Sequence, residues 1–123
     1  MATQGAVAVL DLEPNVPLDD LDEADARRLA ALLVDLHREL DTYFLVRFAP
    51  EMNGAWAPWE AGINGNTPQD YIAAWRHVRA IFVGRGATNA KWVWAPNVFT
   101  AWGVAVDFRP FYPGADAVDV LAL

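Results

Sequence analysis

The stretch Thr42-Tyr-Phe-Leu-Val-Arg-Phe-Ala49 decides the fold class, because it is an apolar run without polar alternation. Its aromatic and β-branched residues favour a strand over a helix. A strand of this kind is expected to be covered on both faces, as in a parallel sheet, and Pro50 ends it. Similar apolar runs predict three more strands, at Ala6–Leu12, Lys91–Ala95 and Val118–Leu123.

Two helices are predicted between these strands. In residues 23–40 the apolar side chains recur at helical spacing, and Asp22 is a suitable N-cap. A second helix begins with Thr67 as the N-cap and Pro68 at the first helical position, and a glycine at 84 or 86 ends it. Residues 99–114 are expected to be irregular.

Strands that alternate with helices predict an α/β fold with a parallel sheet. Four strands and two clear helices are about half of a (β/α)8 TIM barrel, which typically needs ~250 residues. The sequence therefore predicts a single partial domain, residues 1–123. Apolar runs lie close to both ends, so we expect the domain to be truncated at both ends.

Composition narrows the function classes. The 123 residues carry 9 Lys+Arg against 16 Asp+Glu, and this net charge of −7 argues against a nucleic-acid partner. No apolar stretch approaches the ~18 residues of a membrane span. The chain has no cysteine, and therefore no disulfides and no thiol nucleophile. Without metal-ligand spacing or a glycine-rich phosphate loop, no metal and no cofactor are expected.

The candidate functional residues follow the predicted strands. In a parallel α/β fold, active-site residues gather where strands end. The residues at these ends are a carboxylate, an arginine, amides and indoles: Glu51, Arg47, Asn53, Trp56, Trp59, Trp94 and Asn97. Such a set suits a sugar, because sugar rings stack on aromatic side chains and sugar hydroxyls pair with amides and carboxylates.

The segment Arg47-Phe-Ala-Pro-Glu-Met-Asn-Gly-Ala-Trp-Ala-Pro-Trp59 resembles the acid/base motif of glycoside hydrolase family 26. This family is best known for endo-β-1,4-mannanases on a (β/α)8 barrel. Later segments are similar to the family's fourth helix, fifth strand and approach to the sixth strand, in the same order: Tyr71–Phe82, Gly86–Asn97 and Tyr112–Asp119. The first forty residues match weakly, as the third strand and helix.

The resemblance implies a retaining hydrolase of β-1,4 linkages in mannan-like polysaccharide. Glu51 would be the general acid/base, and Arg47 would lie beside the nucleophile and keep it charged. Trp56 would stack on sugar near the cleavage point, and Asp119 would bind substrate hydroxyls. The family's nucleophile is a Glu at the end of strand seven. This chain would therefore carry the acid/base without the nucleophile and be inactive in isolation.

Several alternatives stay open. The runner-up interpretation is a carbohydrate-binding or pseudoenzyme fragment that keeps the tryptophans and lacks the nucleophile. Arg47 could be a structurally paired arginine, and Trp59 and Trp94 could pack in the core. Glu60 is interpreted as a plain loop acid. Pro50 stands where the family usually has His, and this difference could alter substrate contacts.

The same reasoning predicts the partners and the location of the protein. Half a barrel leaves two open strand edges, and these favour edge-to-edge self-association. A polysaccharide or oligosaccharide is the expected partner, with neither nucleic acid nor membrane. The sequence shows no leader, so an extracellular location is only what the family resemblance implies.

Overall fold

The protein forms a sheet of four parallel strands with two helices packed on one face. The computed structural model describes residues 5–99 and 103–123, so residues 100–102 of the predicted irregular segment lie outside the described residues. The elements, in chain order, are β1 (Ala6–Leu12), α1 (Glu23–Leu40), β2 (Thr42–Phe48), α2 (Pro68–Gly84), β3 (Ala90–Trp94) and β4 (Val120–Leu121). The strand order is β1-β2-β3-β4. The predicted α/β fold with a parallel sheet is confirmed.

Both helices begin at the predicted caps. The Asp22 carboxylate accepts a hydrogen bond of 2.7 Å from the Ala24 N–H at the start of α1. At the start of α2, Thr67 and Asp70 form a reciprocal capping box ahead of Pro68. These bonds satisfy N–H groups that the first helical turn would otherwise leave unpaired.

The hydrophobic core lies between the helices and one face of the sheet, here called the outer face. Trp75 of α2 is completely buried, and its indole N–H donates to the Ala117 carbonyl at 3.0 Å. Trp92 of β3 meets Trp75 edge-to-face at a centroid distance of 5.5 Å and meets Phe82 at 5.2 Å. Trp75 is therefore a core residue, as its helical spacing predicts.

The opposite, inner face of the sheet is open over β1 and β2. Val7 and Val9 of β1 are 70% and 66% exposed, and Tyr43 of β2 is 45% exposed. This corrects the expectation that both faces of these strands are covered. The apolar runs are typical of strands that are buried on both faces, but the two helices cover the outer face alone. Because side chains alternate between the two faces along each strand, every second apolar side chain is left without that cover.

The fourth strand is shorter than predicted. It pairs with β3 at Val120 and Leu121, whereas the apolar run extends from 118 to 123. Single backbone bonds continue the contact at each end: Asp119 N–H donates to the Trp92 carbonyl and Ala122 N–H to the Trp94 carbonyl, both at 2.9 Å. Apolar composition does not by itself determine how far a strand pairs, because pairing also depends on its neighbour.

Candidate active site

The backbone that leaves β2 is bonded to the strand on either side. Ala49 N–H donates to the carbonyl of Leu12, the last residue of β1, and Glu51 N–H donates to the carbonyl of Ala95, just after β3, both at 2.8 Å. Pro50, between them, has no N–H to donate. Glu51 is thus fixed at the carboxyl edge of the sheet by main-chain contacts.

This turn is strained. Ala49 and Glu51 have φ angles of 43° and 58°, in the left-handed region, which costs roughly 1–2 kcal/mol per residue other than glycine. Such strain persists only where the surroundings determine the backbone, and it clusters at active sites and ligand clamps. The two backbone bonds to the neighbouring strands supply that determination.

The Glu51 side chain is exposed at this edge. The pKa of Arg47 is raised mainly by its hydrogen bond to Asp11 and that of Glu60 mainly by burial, and the Glu51 charge adds a smaller rise to each, so both groups lie within its electrostatic reach. Among residues 5–99 and 103–123, no group donates a hydrogen bond to its carboxylate. The carboxylate is therefore available to exchange a proton with a bound molecule.

Arg47 has a partner on the adjacent strand. Its Nε and Nη2 donate to the two carboxylate oxygens of Asp11, each at 2.5 Å, and the two residues are in register across β1 and β2. This bidentate hydrogen bond lowers the pKa of Asp11 and raises that of Arg47. The paired arginine, an alternative left open by the sequence, is what the structure contains, with Asp11 as a partner that the sequence did not identify.

Asn53 and Asn97 join the loops that follow β2 and β3. The Asn53 side-chain amide donates to the Asn97 carbonyl and accepts from the Asn97 N–H, both at 2.8 Å. Asn53 therefore uses its amide to hold the two loops together. The side-chain nitrogen of Asn97 is buried and has no hydrogen-bond partner in the described part of the chain.

The two tryptophans after Glu51 differ in exposure. Trp56 is 60% exposed, whereas Trp59 is 6% exposed and its indole N–H donates to the Pro50 carbonyl at 3.0 Å. Trp56 can therefore offer an aromatic face to a ligand. Trp59 stabilises the turn that carries Glu51 through its hydrogen bond to the Pro50 carbonyl.

Glu60 differs from the loop acid that the sequence suggested. Its side chain is completely buried, and Oε2 accepts a hydrogen bond of 2.6 Å from the Trp56 N–H. Burial raises the pKa of Glu60, and the N–H groups of Trp56 and Ala57 partly oppose that rise. The sequence signal was weak: an acid between Trp59 and Ala61, in a loop otherwise rich in Gly and Pro.

The profile of glycosyl hydrolase family 26 matches residues 5–123, which is nearly the whole chain. The chain belongs to glycosyl hydrolase family 26. The resemblance inferred from the Arg47–Trp59 motif is thereby confirmed, and the described residues are part of the family's α/β barrel.

This family-26 chain is similar to two characterised proteins. It is 32% identical over 112 residues to mannan endo-1,4-beta-mannosidase A and B of Caldalkalibacillus mannanilyticus, which covers 85% of the chain and 18% of that protein. It is 41% identical over 75 residues to endoglucanase H of Acetivibrio thermocellus, which covers 59% of the chain and 8% of that protein. The family-26 chain thus spans less than a fifth of either relative.

A solved structure supports the same grouping. GH26A from Muricauda sp. MAR_2010_75 superposes with a TM-score of 0.66 at 29% identity. The match covers 80% of the family-26 chain and 32% of that structure. The four parallel strands and their helices therefore correspond to about a third of the length of that chain.

Two predicted site residues do not join the others at the carboxyl edge. Trp94 is buried on the outer side of β3, against Phe108 and Tyr112, because it shares a strand face with Trp92. Asp119 precedes β4, and its carboxylate accepts a hydrogen bond of 2.8 Å from the Trp92 N–H, in the middle of β3. Trp94 thus packs in the core, an alternative that the sequence left open, and the contact of Asp119 with substrate hydroxyls stays a prediction.

No group of three or more His, Asp or Glu side chains within the described ranges could hold a metal ion. No helix in the same ranges is long and apolar enough to cross a membrane.

Proposed function

We propose that this chain carries the acid/base of a retaining glycoside hydrolase that cleaves β-1,4 linkages in mannan-like polysaccharide. The observation that carries the proposal is the exposed Glu51 carboxylate, which is held in a strained turn within the family's acid/base motif. The similarity to a mannan endo-1,4-beta-mannosidase over 85% of the chain supports a mannan-like substrate.

Glu51 has two roles in this mechanism. It first protonates the glycosidic oxygen of the leaving group, and then, as a carboxylate, it takes a proton from the water that releases the second product. Retention requires a second carboxylate about 5–5.5 Å away to form the glycosyl-enzyme intermediate. In this proposal that nucleophile lies on a later strand of the barrel, and residues 5–123 alone do not hydrolyse mannan.

Trp56 is proposed to bind the sugar next to the cleaved bond. A sugar ring presents an apolar face, and an exposed indole supplies the matching surface at little cost in conformational entropy. Asn53, Asn97 and Trp59 would act indirectly, since their contacts fix the two loops and the Glu51 turn. Arg47, paired with Asp11, would supply positive charge beside Glu51.

The test is the release of reducing ends from soluble β-mannan by a complete family-26 barrel that contains these residues, in its wild-type form and as the E51Q variant. We expect a loss of about 10²–10⁴-fold in kcat, because glutamine keeps the shape of the side chain but cannot transfer the proton. E39Q, a change at an exposed acid on α1, is the matched control and should retain activity. Full activity in E51Q would overturn the assignment.

A carbohydrate-binding role without catalysis is the second candidate. It is favoured by the exposure of Trp56 together with the engagement of Arg47 by Asp11, since stacking needs no second carboxylate. Titration of the same complete barrel with β-1,4-mannohexaose, followed by tryptophan fluorescence and compared with its activity on mannan, distinguishes the two roles. Binding by the complete barrel without any turnover of mannan supports this candidate, and no binding up to millimolar sugar counts against it.

Self-association of the partial sheet is also proposed. In the described residues, β1 and β4 are the two edge strands of the sheet, and β1 presents its exposed valines on the inner face. Open edges and uncovered apolar faces favour pairing with a second copy.

A further inference from the structure

Glu60 is the one acidic side chain that is completely buried in the described part of the chain. Glutamate is almost never fully buried unless it is paired, because removing its charge from water is costly. No cation pairs with Glu60 in that part of the chain. Its burial therefore calls for another explanation, and its contacts supply one.

The carboxylate of Glu60 forms the centre of the loop that carries Trp56. Oε2 accepts the Trp56 N–H at 2.6 Å, which closes the loop from residue 56 to residue 60. The electrostatic environment includes the like charge of Glu51, in addition to the N–H groups of Trp56 and Ala57. Oε1 has no hydrogen-bond partner among the described residues.

Gly54 shows how closely these groups pack. A Cβ atom at this position would lie 2.8 Å from Cη2 of Trp56 and 2.9 Å from each carboxylate oxygen of Glu60. Such distances are shorter than real carbon contacts, so the glycine allows the indole and the carboxylate to approach the same backbone. The tip of the Trp56 ring therefore lies close to Gly54 and the Trp56 main chain is bonded to Glu60, while 60% of the residue stays exposed.

From this arrangement we infer that Glu60 is a positioning residue, which holds the exposed indole of Trp56 in the orientation that receives a sugar ring. The inference rests on the proposed function, since it assigns Trp56 to sugar binding. Its physical basis is preorganisation: a ring that is already fixed loses less freedom when a ligand stacks on it.

The first test needs no sugar. Amide and indole NMR signals of Trp56 are compared in the wild type, E60Q and E60A. Glutamine keeps an oxygen acceptor of the same reach, so the Trp56 signals should stay near their wild-type positions. Alanine removes the acceptor, so the Trp56 amide should move upfield and exchange about tenfold faster. The Trp59 indole signal, bonded to Pro50, reports that the loop remains folded.

The second test measures affinity for β-1,4-mannohexaose in the same variants. We expect E60A to weaken binding about tenfold and E60Q to stay within about twofold of the wild type. E39Q is the control for loss of an acidic charge. If E60A does not fold, E60D serves instead: it keeps the charge but shortens the reach, and should weaken binding as E60A does.

The outcomes separate the two proposals. Weaker binding with unchanged Trp56 signals would overturn the inference, and so would an E60Q variant as weak as E60A. If the wild type does not bind mannohexaose, the proposed function fails. The NMR comparison then still decides whether Glu60 positions Trp56, and unchanged signals in E60A would overturn that as well.

Discussion

The outer and inner faces of the sheet are built from the same strands, yet they differ in what they bury. On the outer face, Val46 and Trp92 are buried against α1 and α2. On the inner face, Val7 and Val9 are exposed, and the Asp11–Arg47 pair lies in register between two strands. The two faces therefore differ in role. Packing on the outer face stabilises the strands, whereas the candidate site lies at the strand ends.

Removing a large side chain from the outer face should have the largest effect on stability. Trp75→Ala would lose a fully buried ring, its contact with Trp92 and its hydrogen bond to Ala117. We expect a loss of about 3–5 kcal/mol in the free energy of unfolding, measured by urea denaturation. Val9→Ala on the inner face is the matched control and should cost far less. Equal losses would contradict the division between the faces.

A charge on the inner face should act on association and leave folding intact. Val9→Lys places an ammonium on an exposed position of the edge strand β1, where inward charges oppose pairing. We expect the dissociation constant of a self-associated form to rise about tenfold or more, which is about 1.4 kcal/mol. Light scattering over a concentration series measures it. A wild-type chain that stays monomeric at every concentration would exclude self-association.

The charge pair on the inner face should contribute least. Asp11→Asn removes the bidentate partner of Arg47, and because both side chains are partly exposed we expect a loss of about 0.2–1 kcal/mol. The pKa of Asp11 is lowered in the folded state, so this contribution is complete above its unfolded pKa and declines as pH falls through the folded value. The free energies of unfolding of the wild type and D11N, measured from pH 7 to pH 3, should therefore become equal at acid pH.

The sequence predicted those features that depend on local chemistry. The caps at Asp22 and Thr67 lie where expected, since N-cap preferences arise from bonds within one helical turn. The burial of Trp75 was predicted from the helical periodicity of the apolar residues. The acid/base role of Glu51 stays a prediction.

Features that depend on distant parts of the chain could not be predicted in the same way. The partner of Arg47 is 36 residues away and is set by the register between β1 and β2. The burial of Glu60 depends on how its loop folds over Gly54. Trp94 and Asp119 were placed by composition and resemblance, whereas strand alternation and the short β4 determine where they lie.

The paired backbone bonds of Ala49 and Glu51 have a consequence for how such a protein can diversify. Both contacts are made by main-chain atoms, which every non-proline residue at those positions would supply, so the location of the acid is insulated from side-chain changes nearby. The loops after β1 and β3 can therefore accumulate substitutions while Glu51 keeps its place at the edge of the sheet. Evolution can vary the preference of such a site without rebuilding the group at its centre.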